Sequence, residues 1–458
     1  MAENKPSGPE GEKKTRQIAG AALPLYLTMI ASSAASLVDT AVLGRHATAS
    51  LAAFAVTLAV FSPATAAVSG AMRGVMPFVA AHKDDAGDTD DADGLLPVLR
   101  NGMWLGICVG LLGAAAVASV PLIGKAGGVP QTTLDELGVF PYILACSVLV
   151  MSIAATATST LVGLGKGKAV MRSGMAGTAA AVILSLVLVG GVGSFDGLGL
   201  PGAGIAMLTS SLINASLAHI QLRRNTVLAG RPLRLGRPHP REVLKLAAVG
   251  IPLAATVLIK FAVLGVLAFS AARVNTDSAA VHSISLSLVN LMFTAAVAVG
   301  QATVPLMAAH VKTGDVQEVR RSAHAGVLVA LGAVCGLALL LVVARTPVIS
   351  LFTKDTGLHD KVLDLLPVVL LAVLADAAQA VFGFGLIGIK RTVPSLVVFA
   401  ICYGLLALVA LPVGAAGGLK ALWLSLAGAN LLLVAGQAFF FQRRSGSLTR
   451  PEPAPASA

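Results

Sequence analysis

The chain has 458 residues, 56% of them hydrophobic and only 12% charged, with a formal net charge of +11. An ordinary soluble domain carries roughly a quarter charged residues, so this composition excludes a soluble globular protein and points to one that lives in lipid. The apolar runs are too long for an outer-membrane barrel and lack its strict alternation. The basic residues are spread over short loops, which argues against nucleic acid as a partner.

A membrane-crossing helix needs about 20 apolar residues. The first 16 residues are polar and charged, and no cleavable leader pattern precedes the first apolar run, so the first helix itself is expected to direct insertion. Twelve spans follow, near 18–44, 50–81, 97–124, 137–165, 169–194, 202–222, 243–272, 277–310, 322–345, 359–389, 392–414 and 417–442. The expected architecture is an all-α polytopic membrane protein: tail 1–16, six-helix lobe 17–222, basic linker 223–242, second six-helix lobe 243–442, and tail 443–458.

The first span is the most informative. Residues 18–44 carry one charge, Asp39. A carboxylate there costs about 2.5–3.5 kcal/mol on insertion scales, so it is read as a functional group facing a bundle interior or a water-filled cavity. Thr28, Ser32, Ser36 and Asp39-Thr40 recur at about one turn, which suggests a shared helix face. Pro24 lies inside the same span and offers a hinge. In the second span Ser62, Thr65, Ser69 and Arg73 form a similar stripe. After it comes an acidic loop with Asp84, Asp85, Asp88, Asp90, Asp91 and Asp93, read as a solvated turn.

Gly163-Leu-Gly-Lys-Gly-Lys168 lacks the spacing of a phosphate-binding loop, so no nucleotide-driven pump is indicated. The linker gathers Arg223, Arg224, Arg231, Arg234, Arg237, Arg241 and Lys245 with Pro232, Pro238 and Pro240. It reads as a cytoplasmic connector held to anionic lipid headgroups. In the eighth span Ser283, Ser287, Asn290, Thr294 and Gln301 make a third stripe. Two further intramembrane charges, Lys260 and Asp376, belong to the second lobe, so each lobe holds one acid and one base. The stripes are read as cavity lining.

Cys108, Cys146, Cys335 and Cys402 all fall inside spans and read as small core residues, with neither a disulfide framework nor a metal site expected. With the N-terminus inside, only seven Lys and Arg fall in outer loops (Arg45, Lys125, Arg273, Arg345, Lys354, Lys361, Lys420). That asymmetry places both termini in the cytoplasm of a cell inner or plasma membrane protein.

The chain repeats itself. Pro24, Pro77 and Ala80-Ala81-His82 recur 228 residues later as Pro252, Pro305 and Ala308-Ala309-His310, which makes His82 and His310 inherited geometry rather than proton relays. Gly163-Leu164 and Lys168 match Gly385-Leu386 and Lys390 at an offset of 222. Two six-helix lobes of even span number are parallel repeats, the usual build of a transporter that rocks one lobe against the other around a central site.

At this point Leu37-Val-Asp-Thr-Ala-Val-Leu-Gly44 resembles the first-helix signature of the MATE (multidrug and toxic compound extrusion) family. The DinF branch is the nearest likeness, since it also has an Arg at the place of Arg73, nine residues before His82. The resemblance covers residues 16–444. It implies export of amphipathic, often cationic small molecules in exchange for protons, with Asp39 as the seat of competition between proton and substrate.

By the same resemblance Asp376 and Gln379, in Ala375-Asp-Ala-Ala-Gln379, look like the tenth-helix motif of the NorM branch. The fifth-helix positions Gly177, Thr178, Ala181 and Ser185 stand where relatives carry a second acid, and Lys260 replaces a seventh-helix Glu. Both departures disfavour sodium, so the proton is the expected coupling ion and no cofactor is expected. A monomer in contact with membrane lipid is expected. The runner-up is a flippase for a lipid-linked precursor, with Lys260 and Arg73 on its pyrophosphate. A membrane-embedded enzyme would need a catalytic cluster, and the buried histidine supply is essentially His282.

Overall fold

The structure is a computed structural model that describes residues 9–46, 48–82, 91–191, 197–224, 228, 235–350, 352–353 and 355–448. Asp84, Asp85, Asp88, Asp90, Arg231, Pro232, Arg234, Lys354, half of the first tail and most of the second lie outside the described residues, as do the side chains of Arg45, Asp91 and Asp93. The described elements are all helical: α1 (Pro9–His46), α2 (Thr48–Arg73), α3 (Met76–Ala80), α4 (Asp91–Ala118), α5 (Val120–Ala126), α6 (Gln131–Leu137), α7 (Phe140–Gly163), α8 (Gly167–Gly190), α9 (Leu200–Arg224), α10 (Pro240–Val274), α11 (Thr276–Lys312), α12 (Val316–Val343), α13 (Arg345–Ser350), α14 (Thr356–Gly388) and α15 (Val393–Ser445).

Among the described residues eleven helices are long and apolar enough to cross a membrane, α15 counted once. At 53 residues α15 is far longer than one crossing. Gly418 interrupts it at φ 65°, ψ −160°, a conformation closed to side-chain-bearing residues, so α15 supplies the last two of the twelve expected spans. The span near 50–81 is divided instead: α2 ends at Arg73, and α3 resumes with Pro77 in its first turn. Its repeat partner α11 runs unbroken through Pro305.

The repeat is visible in the helix ends, with a corrected register. After α7, Gly165 N–H reaches Val162 O and Lys166 N–H reaches Leu161 O; after α14, Lys390 N–H reaches Ile387 O and Arg391 N–H reaches Leu386 O. Both ends place one residue at positive φ, Gly165 at 72° and Lys390 at 57°. This is one C-cap geometry used twice. It pairs Gly165 with Lys390, not Lys168 with Lys390, because cap hydrogen bonds rather than residue likeness set the register.

The chain divides into two compact units, Leu27–Leu258 and Met1–Tyr26 with Ile259–Ala458. These do not follow the lobe limits expected at 17–222 and 243–442. The first boundary falls inside α1, just beyond Pro24, and the second inside α10, beyond Pro252.

In the unit Leu27–Leu258, α8 packs on α9, α7 on α4 and α9, and α2 on α4 and α7. Small residues let these backbones meet. Ser152 donates to Gly106 O at 2.5 Å, Ser147 and Ser211 hydroxyls lie 2.8 Å apart, and Ser210 donates to Gly177 O at 2.7 Å. The first half of α10 joins this unit because a Cβ at Gly250 would stand 2.3 Å from Ala71 O, and one at Gly74 would stand 2.7 Å from Gly250 Cα. Gly250→Leu is therefore expected to force α10 off α2 at a cost of about 1–3 kcal/mol or more. A lowered thermal midpoint in detergent checks it. Gly265→Leu, where nothing stands within 4 Å, is the tolerated control.

In the other unit α11 and α14 pack together, flanked by α12 and α15. Met307, Val319, Phe382, Leu386, Ile389 and Phe441 form a buried cluster at one end. Lys14 pairs with Glu318, and Arg320 donates to Gln442 O and Ser445 Oγ. These bonds bring the start of α1, the start of α12 and the end of α15 to one end of the unit, here the terminal end. The starts of α11 and α14 lie at the opposite, distal end.

One other expectation is corrected. Cys108, Cys146 and Cys335 are exposed and Cys402 is half-exposed, so they are surface rather than core residues. A helix face turned to lipid is as apolar as a core face, and hydropathy does not separate the two.

Candidate functional site

In the unit Leu27–Leu258, Asp39 is 4% exposed. Ala35 and Leu43, one turn to either side of it on α1, are also buried. The carboxylate therefore belongs to the inward face of the helix. Ser185, fully buried on α8, donates its hydroxyl to Asp39 Oδ1. Thr178 stands half-buried two turns earlier on α8, and Arg73 is half-buried at the end of α2.

The shared face expected for Thr28, Ser32, Ser36 and Asp39 is not what forms. Ser32, Ser36 and Thr40 are exposed, and the Ser32 and Thr40 hydroxyls return to the Thr28 and Ser36 carbonyls of their own helix. Residues turn by about 100° each along an α-helix, so Thr40 points well away from its neighbour Asp39. The stripe on α2 behaves alike, with Ser62 exposed and Thr65 bonded to Phe61 O at 2.9 Å. On α11 Ser283, Ser287 and Asn290 are exposed, and Thr294 donates to Asn290 O at 2.7 Å. Gln301, further along α11, is buried.

The second centre lies in the other unit. Lys260 on α10 places Nζ 2.9 Å from Asp376 Oδ1 and 2.7 Å from Oδ2 on α14. Gln379, one turn on, donates to Asp376 Oδ1 at 2.9 Å. The same ammonium lies 3.5 Å from the centroid of the Phe293 ring on α11. The side chains of Lys260 and Asp376 are 18% and 4% exposed, so this is a buried, bidentate ion pair with a cation–π contact.

Its surroundings hold residues that sequence reasoning passed over. Tyr403 on α15 donates to Asn430 Oδ1 at 2.9 Å, and Asn430 donates to Ala372 O at 3.0 Å, one turn before Asp376 on α14. The available signal was a lone Tyr and a lone Asn inside apolar runs, the same cue that singled out Asp39.

Two duplicated helical bundles, each with a buried carboxylate on a membrane-crossing helix, define a polytopic membrane protein of the transporter class. The MatE family model matches twice, over residues 24–188 and 252–413, which is well over half the chain. The chain belongs to the MatE family and is a MATE-family transporter.

A protein of Aromatoleum aromaticum described as "Probable multidrug resistance protein NorM" is 26% identical over 386 residues, covering 83% of this chain and 82% of that one. The multidrug resistance protein PmpM of Pseudomonas aeruginosa is 24% identical over 409 residues, 87% of this chain and 83% of that one. A crystal structure of MATE in the straight conformation superposes with a TM-score of 0.83 at 16% identity, covering 95% of this chain and 97% of that one. An outward-facing MATE family transporter of the MOP superfamily gives 0.84 at 16%, over 95% and 96%. At that identity the structural likeness speaks for the fold alone.

Proposed function

We propose that this chain is a proton-coupled efflux antiporter for amphipathic, cationic drugs or metabolites, working by alternating access with both termini in the cytoplasm. The observation that carries the reading is the Asp39 carboxyl, buried on α1 against the Ser185 hydroxyl in a chain of this family. Protonation at Asp39 on the outer side releases bound substrate, and deprotonation toward the cytoplasm restores affinity. Coupling of this kind requires ion and substrate to bind the two states with different affinities.

Several features support the scheme. Ser32, Ser36 and Thr40 on α1 and Ser283, Ser287 and Asn290 on α11 are exposed, and polar side chains on membrane-crossing helices suit contact with water. Pro24 lies beside the point where α1 passes from one compact unit to the other, which suits a hinge. The Lys260 ammonium already occupies the Asp376 carboxylate that a sodium ion would need, and this favours the proton. Membership of the DinF branch rests on Arg73 and its spacing to His82. The flippase reading needs Lys260 for a pyrophosphate, and that ammonium is taken by Asp376.

The test is drug accumulation in a pump-deficient host, repeated with protonophore and with sodium removed. Expression should lower accumulation, protonophore should abolish the effect, and sodium removal should leave it. Efflux that follows sodium instead would overturn the coupling ion.

A further inference from the structure

Four buried polar atoms cluster near the distal end of the unit Met1–Tyr26 with Ile259–Ala458 and have no hydrogen-bond partner among the described protein atoms: His282 Nδ1 and Nε2, Ser285 Oγ and Trp423 Nε1. Their residues are 2%, 1% and 1% exposed. Buried donors and acceptors are almost always satisfied, by protein or by ordered water. The His282 and Trp423 rings are neighbours, with centroids 5.6 Å apart, and Ser285 follows His282 by about one turn on α11.

Above this cluster lies a cavity of about 420 Å³. Ser278 and Val281 line it from α11, and Leu419 lines it from α15 just past the Gly418 break. His282 and Ser285 stand one turn below Ser278 and Val281, and Trp423 one turn below Leu419. Side chains on a helix lean toward its N-terminus. Both helix segments run away from the distal end, so the Cα–Cβ bonds of all three residues tilt toward that end, where the cavity lies.

The walls are charged. Lys361 pairs with Asp277 at 2.5 Å, Lys420 reaches Asp364 at 3.6 Å, and Asp360 adds a third carboxylate. Asp360, Lys361 and Asp364 from α14 and Lys420 from α15 line the cavity opposite Asp277 of α11, and His359 stands half-buried beside Asp360 on α14. The facing stretch of α12, residues 325–343, holds no Asp, Glu, Lys, Arg or His.

We propose that His282, Ser285 and Trp423 form a hydrated proton-binding site under the distal cavity, taking water through that cavity, with His282 as the group that gains and releases the proton. Water satisfies all three chemistries at once: it accepts from the indole N–H, donates to or accepts from the imidazole, and bridges to the hydroxyl. Two turns further along α15, Asn430 donates to Ala372 O, one turn before Asp376 on α14. That the distal end faces the cell exterior rests on the topology proposed above; the site itself does not.

The chain has two tryptophans, Trp104 and Trp423, so Trp104→Phe leaves Trp423 as sole reporter. An imidazolium quenches a neighbouring indole more strongly than neutral imidazole does. In purified Trp104→Phe protein, Trp423 emission should fall with a single midpoint as pH is lowered, and the fall should vanish on adding His282→Gln. The wild-type minus His282→Gln difference curve gives the same reading should Trp104→Phe fail to fold.

Emission that ignores pH, or a titration that survives His282→Gln, overturns the site. In vesicles, efflux should lose one inflection in its external-pH profile in His282→Gln. An unchanged efflux profile overturns the link to the exterior. Absence of wild-type efflux at every pH would instead sink the transport reading, with the fluorescence result intact.

Discussion

Asp39→Asn is expected to abolish proton-driven efflux from reconstituted vesicles while the protein accumulates and elutes as wild type does. Asparagine keeps the shape of the aspartate and retains a carbonyl oxygen to accept the Ser185 hydroxyl, so the α1–α8 contact survives. What disappears is the ability to carry a charge in one state and a proton in the other. Coupling free energies of about 1–3 kcal/mol correspond to roughly 5–150-fold in affinity, and the variant loses all of it. Substrate binding should become indifferent to pH, measurable by equilibrium binding at two pH values. Ser185→Ala is the graded companion. It removes one hydrogen bond to a charged group, worth about 1.5–3 kcal/mol, and should weaken coupling without eliminating it. Wild-type efflux by Asp39→Asn would remove Asp39 from the mechanism.

The sequence disclosed the number of spans, the duplication and both buried acids, because each follows from hydropathy or from the cost of charge in lipid. It did not disclose which face of α1 carries Asp39. Ser36 and Asp39 are three residues apart, close enough in angle to look like one stripe, yet burial separates them. Nor did it disclose that α1 and α10 each divide between two compact units, since a helix reads the same along its length whatever it packs on. Gly74 and Gly250 were the trace of that arrangement, lost among 48 glycines. The repeat explains backbone better than chemistry. At the offset of 228, Lys260 answers to Ser32 on the exposed face of α1, so the two centres are not copies of one ancestral site.

That asymmetry leads to the second large effect. Lys260→Ala should destabilise the protein by about 3–5 kcal/mol, because among the described residues it leaves the buried Asp376 carboxylate with Gln379 as its one hydrogen-bond partner. For a folded unit of 150–250 residues each kcal/mol moves the thermal midpoint by roughly 2–4 °C, so a scan in detergent will resolve the loss. Removing both charges, as Lys260→Met with Asp376→Leu, should return the midpoint to near or above wild type, since well-packed apolar pairs often equal or exceed a buried ion pair.

Sodium separates this account from simple packing damage. In Lys260→Ala the vacated space beside Asp376 and Phe293 suits a small cation, and a ligand that binds only the folded state stabilises it by mass action. Added sodium should therefore raise the midpoint of Lys260→Ala and leave wild type and the double variant unmoved. A sodium response in wild type would mean that the Lys260 ammonium does not occupy the carboxylate, and the electrostatics of that unit would have to be drawn again around a mobile ion.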